Sequence, residues 1–390
     1  MAQTRTITRK KLAAIGALDI ASLAVHAMWR PPSARSGEPR SFLVVEPWGI
    51  GDVVLSTSLL RALRTNYPAA RISLLAKRYA KDLLAHSGLV DNIVCFDFPW
   101  TAFEGKLTPS KYVPKQFQKL ISQLRSLDID VSFDARRDIR SNLITYFSGA
   151  RRRIGYDFGG GAHLLTDVLP SGNQNEHKVT DWLALLEPLG AERRDFAPTL
   201  TVTEAEKANA RRRLAILGLS QEKPILAVHP GARQAVRRWN PQRFATSIDA
   251  LVEERGVQIL VFEEEEGDSS GISPRHWVRR VKGDLRGFMA LVSQVDLLLC
   301  SDSGPMHIAT ALGTPVTALF GPQRREWYGP RGELDSVVQV DDMACRPCFD
   351  ACIFASPVCM DNISVEAVVR AVSAQLDRVE SHSAGVARHG

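Results

Sequence analysis

No zinc-finger, helix-turn-helix or RNA-binding signature occurs in the 390 residues, and no repeat or low-complexity tract appears. Nucleic acid is therefore not an expected partner. Also missing are the Gly-x-Gly-x-x-Gly spacing and the Lys-Ser/Thr ending of the common phosphate loops, so dehydrogenase chemistry loses its usual support. No apolar stretch is long enough to span a bilayer comfortably. Cysteines number six, and the net charge is a modest +6, which suits anionic small molecules or an acidic membrane surface. What is present is an ordinary globular composition, 45% hydrophobic, in a chain too long for one core.

The first forty residues, "MAQTRTITRKKLAAIGALDIASLAVHAMWRPPSARSGEPR", run from a basic start through an apolar middle to a Pro/Ser/Arg-rich linker. Asp19 and His26 interrupt the apolar part. A basic helix lying on the cytoplasmic face of a membrane is the expectation, which would make the protein peripheral there. A disordered tail, a helix packed on the body and a cleaved signal peptide are the alternatives.

From Ser41 onward, short apolar runs alternate with helical periodicity. "SFLVVE", "RISLLA", "DNIVCFD" and "IDVSFDA" read as buried strands separated by helices. The pattern restarts with "PILAVHPGA", "VQILVFE", "VDLLLCSDSG" and "PVTALFGP". Continuous apolar strands between helices imply parallel sheets covered on both faces. The fold class is α/β with two Rossmann-like units. The expected division is an N-terminal segment over 1–40, domains over 41–195 and 196–375, and a tail over 376–390. Ligands in such sheets bind beyond the carboxyl ends of the strands, so the loops after strands carry the chemistry.

Three of those loops stand out. In "LLLCSDSGPMHIATALG" a strand ends near Cys300, a tight turn runs from Ser301 to Gly304, and Pro305 starts a helix. The first helical N–H groups there favour an anion, unless Asp302 or Ser303 merely caps the helix. In "AVHPGARQAVRRWNPQRF" a glycine-containing loop carries Arg233, Arg237 and Arg238, whose forked donors match phosphate oxygens. In "WGIGDVVLSTSLLRALR" a carboxylate, Asp52, opens a helix where it would repel a bound phosphate. Asp52 is either a helix cap or a general base.

In this order, the three stretches resemble glycosyltransferase family 9, the ADP-heptose:lipopolysaccharide heptosyltransferases. The resemblance runs from about Phe42 to Val369. "GIGDVVLSTSLLRALR" and "SDSGPMHIATALGTPVTALFGP" are similar to the family's strongest motifs, and "HPGARQAVRRWNPQRF" to its phosphate loop, with Arg237 where members commonly carry Lys. The resemblance implies the GT-B architecture, two Rossmann-like domains with mainly parallel sheets facing an interdomain cleft. It implies a nucleotide-sugar donor, ADP-heptose, bound by Arg237, Arg238, Asp302, Ser303, Gly304 and His307. A glutamate after "VQILVF" would hold the ribose; Glu264, Glu265 and Glu266 compete for that role, and Glu266 is favoured. Asp52 falls on the catalytic base of an inverting displacement.

A lipopolysaccharide-type glycan acceptor would be held on the first domain by Gly51, Arg136 and Arg140. The nearby triplet Arg151–Arg152–Arg153 reads as a solvated loop or membrane-facing patch rather than a contact. The scheme needs no metal and no cofactor beyond the donor substrate; "DID" at Asp128–Asp130 reads as a chance match to a metal-binding pair. Cys345, Cys348, Cys352 and Cys359 have spacing that could close a zinc or iron–sulfur site; reduced thiols and disulfides are the other readings. Two other readings compete: a nucleotide-sugar epimerase, or a non-catalytic glycan- or nucleotide-binding protein on the same architecture.

Overall fold

Phe42, Leu43, Val44 and Val45 expose no surface at all. That is what a strand demands when it is covered on both faces of a parallel sheet. Burying each such side chain contributes about 1.5–3 kcal/mol. The computed structural model describes residues 9–28, 31–101, 108, 111–170, 176–194, 196–220, 222–263, 272, 275 and 277–389. The chain divides into two compact units, Met1–Phe196 and Ala197–Gly390.

The first unit opens with α1 (Arg9–Met28), β1 (Ser41–Val45), α2 (Ile50–Asn66) and β2 (Arg71–Ala76). It continues through α3 (Ala80–Leu83), β3 (Asn92–Cys95), α4 (Pro114–Ser126), β4 (Val131–Asp134) and α5 (Ile139–Phe147). β5 (Arg152–Tyr156), β6 (Asp167–Leu169) and α6 (Lys178–Ala184) complete it. The six strands pair in the order β3-β2-β1-β4-β5-β6, every pair parallel.

The second unit runs through α7 (Glu204–Ile216), β7 (Ile225–His229), α8 (Pro241–Arg255), β8 (Gln258–Phe262) and β9 (Val278–Val281). Next come α9 (Leu285–Val292), β10 (Leu297–Ser301), α10 (Gly304–Leu312), β11 (Val316–Phe320) and α11 (Arg325–Tyr328). β12 (Ser336–Gln339), α12 (Val358–Asp361) and α13 (Val365–His389) end it. Its sheet order, β12-β11-β10-β7-β8-β9, again all parallel, repeats the order of the first. Each sheet has one point where the chain reverses its direction of travel: between β1 and β4, and between β7 and β10. Ligand crevices in doubly wound folds open at such points.

Several expectations change. The residues expected as a tail from 376 continue α13, which packs on α8 through Val368, Val372 and Leu376. Helix α1 packs on the body of its unit. The Asp19 carboxylate accepts the Gly161 N–H at 2.7 Å, Ser22 Oγ lies 2.8 Å from His163 Nε2, and the His26 ring stands 5.6 Å from that of Tyr146. Leu18, Ile20 and Leu23 remain exposed on it. No described helix is long and apolar enough to cross a membrane.

The arginine triplet is not a solvated loop. Arg152 and Arg153 lie in β5; Arg151 pairs with Asp128 at 2.7 Å and Arg152 with Asp167 at 2.6 Å. Arg153 is buried and donates to the carbonyls of Leu164 and Ala150. Asp128 and Asp130 both precede β4 and pair with Arg35, at the end of the strand remote from the crevice. That is a structural role.

Candidate active site

In the first unit, β1 delivers Glu46, Pro47 and Trp48 to the crevice end of the sheet, and Gly49 is the N-cap of α2. Asp52 is the third helical residue. Its Oδ2 accepts the Gly49 N–H at 3.0 Å, one half of a capping box. A Cβ at position 49 would stand only 3.0 Å from that oxygen, so glycine is what allows the approach. The other oxygen, Oδ1, accepts from Arg136 Nη1 at 2.8 Å. Asp52 thus caps its helix and also meets the cation that β4 supplies. The cap and the ion pair use different oxygens.

Arg136 reaches this place because it follows β4, the neighbour of β1 at the reversal point. Its backbone N–H donates to Asp134 at 2.9 Å, and its guanidinium lies 5.0 Å from the Trp48 ring centroid. Arg140 approaches the same ring at 5.9 Å, held by Asp138, the N-cap of α5. Arg137 turns elsewhere, to Asp181 at 3.0 Å and over Tyr156. Its carbonyl would stand 1.9 Å from a Cβ at Gly159, which is why that loop needs glycine.

Two further acids were not singled out from the sequence. Glu46 is fully buried, with Oε2 3.7 Å from Arg136 Nη1; burial drives its pKa up to about 8, against the pull of Arg136. Asp134, also buried, is pushed up to about 7 by burial, against the Arg136 N–H that bonds to it. Both carboxyl groups are shifted toward their protonated forms, beside an Asp52 that faces partial solvent. The strand-ending position of Glu46 in "SFLVVE" was the available signal.

In the second unit, the loop after β7 makes a single turn of 3-10 helix over Ala235–Arg237. Arg237 Nη1 lies 3.1 Å from Asp302 Oδ2, while Nε and Nη2 grip both oxygens of Asp350 at 2.7 Å each. Burial works against the charged guanidinium, but Asp302 and Asp350 outweigh it and raise its pKa. Arg238 donates from Nε to the Ala232 carbonyl at 2.7 Å, bracing the loop. Asp302 is buried and sits immediately before α10. Ser303, the N-cap of α10, makes no side-chain capping bond; its hydroxyl turns back to the Ser301 carbonyl. The capping alternative for Ser303 is thereby set aside, and the first turn of α10 keeps its polarity toward an anion. His307 is buried within that helix, at 8% exposure. Glu264, Glu265 and Glu266 lie outside the described residues.

The four clustered cysteines line one small cavity with Gly321, Pro322 and Val236. All six cysteines are unbridged in the structure. Burial raises the pKa of Cys348 and Cys359. Among the described residues, no group of three His, Cys, Asp or Glu is arranged to hold a metal ion.

The arrangement brings a carboxylate beside arginines at one reversal point, and a forked cation beside a helix N-terminus at the other. Known proteins share the framework. Lipopolysaccharide heptosyltransferase 2 of Escherichia coli strain K12 is 26% identical over 317 residues, 76% of this chain and 87% of that protein. The structure of E. coli ADP-heptose lps heptosyltransferase II superposes with a TM-score of 0.69 at 22% identity, covering 87% of this chain and 99% of that one. E. coli heptosyltransferase WaaC with ADP gives a TM-score of 0.63 at 15% identity, covering 86% and 99%. The fold is GT-B, as the resemblance implied. The family described as Glycosyltransferase family 9 (heptosyltransferase) matches residues 117–356, well over half of the chain. With both parallel sheets and this match in hand, the chain belongs to glycosyltransferase family 9 and is a glycosyltransferase.

Proposed function

We propose that the protein moves a heptose from ADP-heptose onto a lipopolysaccharide-type glycan, with inversion at the anomeric carbon. The observation that carries this reading is the Arg237 guanidinium set against Asp302 at the foot of α10, where a diphosphate finds both a forked cation and a helix N-terminus. The names of the relatives supply the sugar, the nucleotide and the acceptor class. Membership in a transferase family sets aside a purely binding role.

In this scheme Arg237, Arg238, Asp302, Ser303, Gly304 and His307 form the donor site, and Glu266 is assigned to the ribose on resemblance alone. Asp52 takes the proton of the acceptor hydroxyl as that oxygen bonds to the anomeric carbon and the nucleoside diphosphate departs. Arg237 and the start of α10 stabilise the charge that grows on the leaving group. Gly51, Arg136 and Arg140 contact the acceptor, whose phosphates or carboxylates suit guanidinium groups. The basic start of the chain, with Arg5, Arg9, Lys10 and Lys11, would hold the protein at the anionic inner-membrane surface where such acceptors are built.

A melt screen against ADP-, UDP- and GDP-sugars, followed by mass spectrometry of the acceptor, tests the reading. ADP-heptose should raise the melting temperature and add one heptosyl residue. Stabilisation by a UDP-sugar alone, with no product from ADP-heptose, would overturn it.

A further inference from the structure

Arg237 is gripped from a direction that the sequence motifs do not explain. Asp350, which lies between Cys348 and Cys352, takes the Nε/Nη2 edge of the guanidinium with both carboxylate oxygens at 2.7 Å. Asp302 touches only Nη1, at 3.1 Å. The parallel, bidentate contact fixes the plane of the guanidinium, which a single contact cannot do.

The loop that presents Asp350 is itself tied down. Arg346 donates from Nε to the Gly321 carbonyl at 2.8 Å and from Nη1 to the Val340 carbonyl at 2.7 Å. The Cys348 N–H bonds to the Pro322 carbonyl at 3.3 Å, and the four cysteines of this segment line one small cavity. Phe349 and Asp350 both sit in the left-handed region, at φ 52° and 66°. Non-glycine residues hold that conformation where their surroundings impose it, commonly at functional sites.

We propose that Asp350 is a positioning residue for the donor: it holds the Arg237 fork in place at the start of α10 before the diphosphate arrives. The proposal rests on the donor-site reading given above. Without Asp350, Arg237 is a long side chain held at one nitrogen, and each binding event must order it. That ordering weakens binding by about 3- to 10-fold. Removing a carboxylate near a phosphate works in the opposite direction. The single Arg237 charge is shared between Asp302 and Asp350, so Asp350 keeps part of its repulsion toward a phosphate, and the proposal requires the ordering of the fork to be the larger effect.

The test is calorimetric titration with ADP of the wild type, Asp350→Asn, Asp350→Ser, Arg237→Ala and the double variant Asp350→Asn/Arg237→Ala. Titration stoichiometry reports the folded fraction, so a loss of stability is not mistaken for a loss of affinity. Both Asp350 variants should raise the ADP Kd by about 3- to 10-fold and lower kcat/KM for the donor alike. In the Arg237→Ala background, Asp350→Asn should add nothing, because the residue acts only through Arg237. An unchanged or tighter Kd in the single variants overturns the proposal, as does an equal loss in both backgrounds. If Arg237→Ala itself leaves ADP binding intact, the donor-site reading fails, and the assignment of Asp350 falls with it.

Discussion

Arg237 can be replaced in two ways that separate charge from geometry. Alanine removes both, leaving Asp302 buried at 2% exposure and Asp350 half-buried with no cation between them. Breaking a fully buried pair costs about 3–5 kcal/mol. The Arg237 side chain keeps 24% of its exposure and that of Asp350 18%, so solvent screening reduces the expected loss to about 2–3 kcal/mol. For a unit of this size that corresponds to roughly 5–10 °C in Tm. Lysine retains the charge but offers one point donor, which can serve Asp302 or Asp350 but not the fork; about 1–2 kcal/mol should be lost.

Affinity follows a different scale. A charge-assisted contact to phosphate is worth about 1.5–3 kcal/mol, so Arg237→Ala should weaken ADP by about 10- to 150-fold, and Arg237→Lys by less. At an ADP concentration near 100 times the wild-type Kd, ligand stabilisation is about 2.7 kcal/mol for the wild type. For a variant weakened about 100-fold it falls to about 0.4 kcal/mol. Melts with and without ADP, paired with titration calorimetry, read both quantities. An Arg237→Ala variant that binds ADP as tightly as the wild type, with an undiminished thermal shift, would refute the assignment whatever its intrinsic stability.

Other consequences follow from the acid cluster behind Asp52. The folded-state pKa values of Glu46 and Asp134, about 8 and about 7, lie above those of ordinary carboxyl groups. The folded protein therefore holds protons that the unfolded chain has released, and stability from these groups falls as pH rises toward 8. Glu46→Gln should flatten that slope, sparing about 2–3 kcal/mol between pH 6 and 8.5 in urea titrations; identical slopes would show that Glu46 is not held neutral. Gly49→Ala introduces a Cβ at 3.0 Å from Asp52 Oδ2. It should displace the carboxylate, cost about 1 kcal/mol in stability and lower turnover about ten-fold; unchanged kinetics would mean that the geometry of Asp52 is irrelevant.

The parts legible in the sequence were those in which local chemistry and tertiary position agree. The runs Phe42–Val45 and Leu297–Cys300 are apolar because their strands, β1 and β10, are central in their sheets. β5 escaped notice because Arg152 and Arg153 interrupt its pattern; the structure satisfies them with Asp167 and with main-chain carbonyls, partners no window of sequence displays. β9, "VRRV", hides for the same reason. At the site, Asp52, Arg136 and Arg237 were visible as charged residues just past strands. Asp350 was not, since it stands 113 residues from Arg237 inside a segment dominated by its cysteines. Residues 1–40 illustrate the reverse case: Asp19 and His26, which interrupt the apolar run, face Gly161 and the Tyr146 ring, and Ser22 meets His163.

The assignment of Asp52 as general base is tested most directly by mass-spectrometric turnover of ADP-heptose on an inner-core acceptor, comparing the wild type with Asp52→Asn. Asparagine can still accept the Gly49 N–H, so the helix start survives, while the proton acceptor is gone. Turnover should fall by about 10²–10⁴-fold with the ADP Kd unchanged. Wild-type turnover in Asp52→Asn would contradict the account.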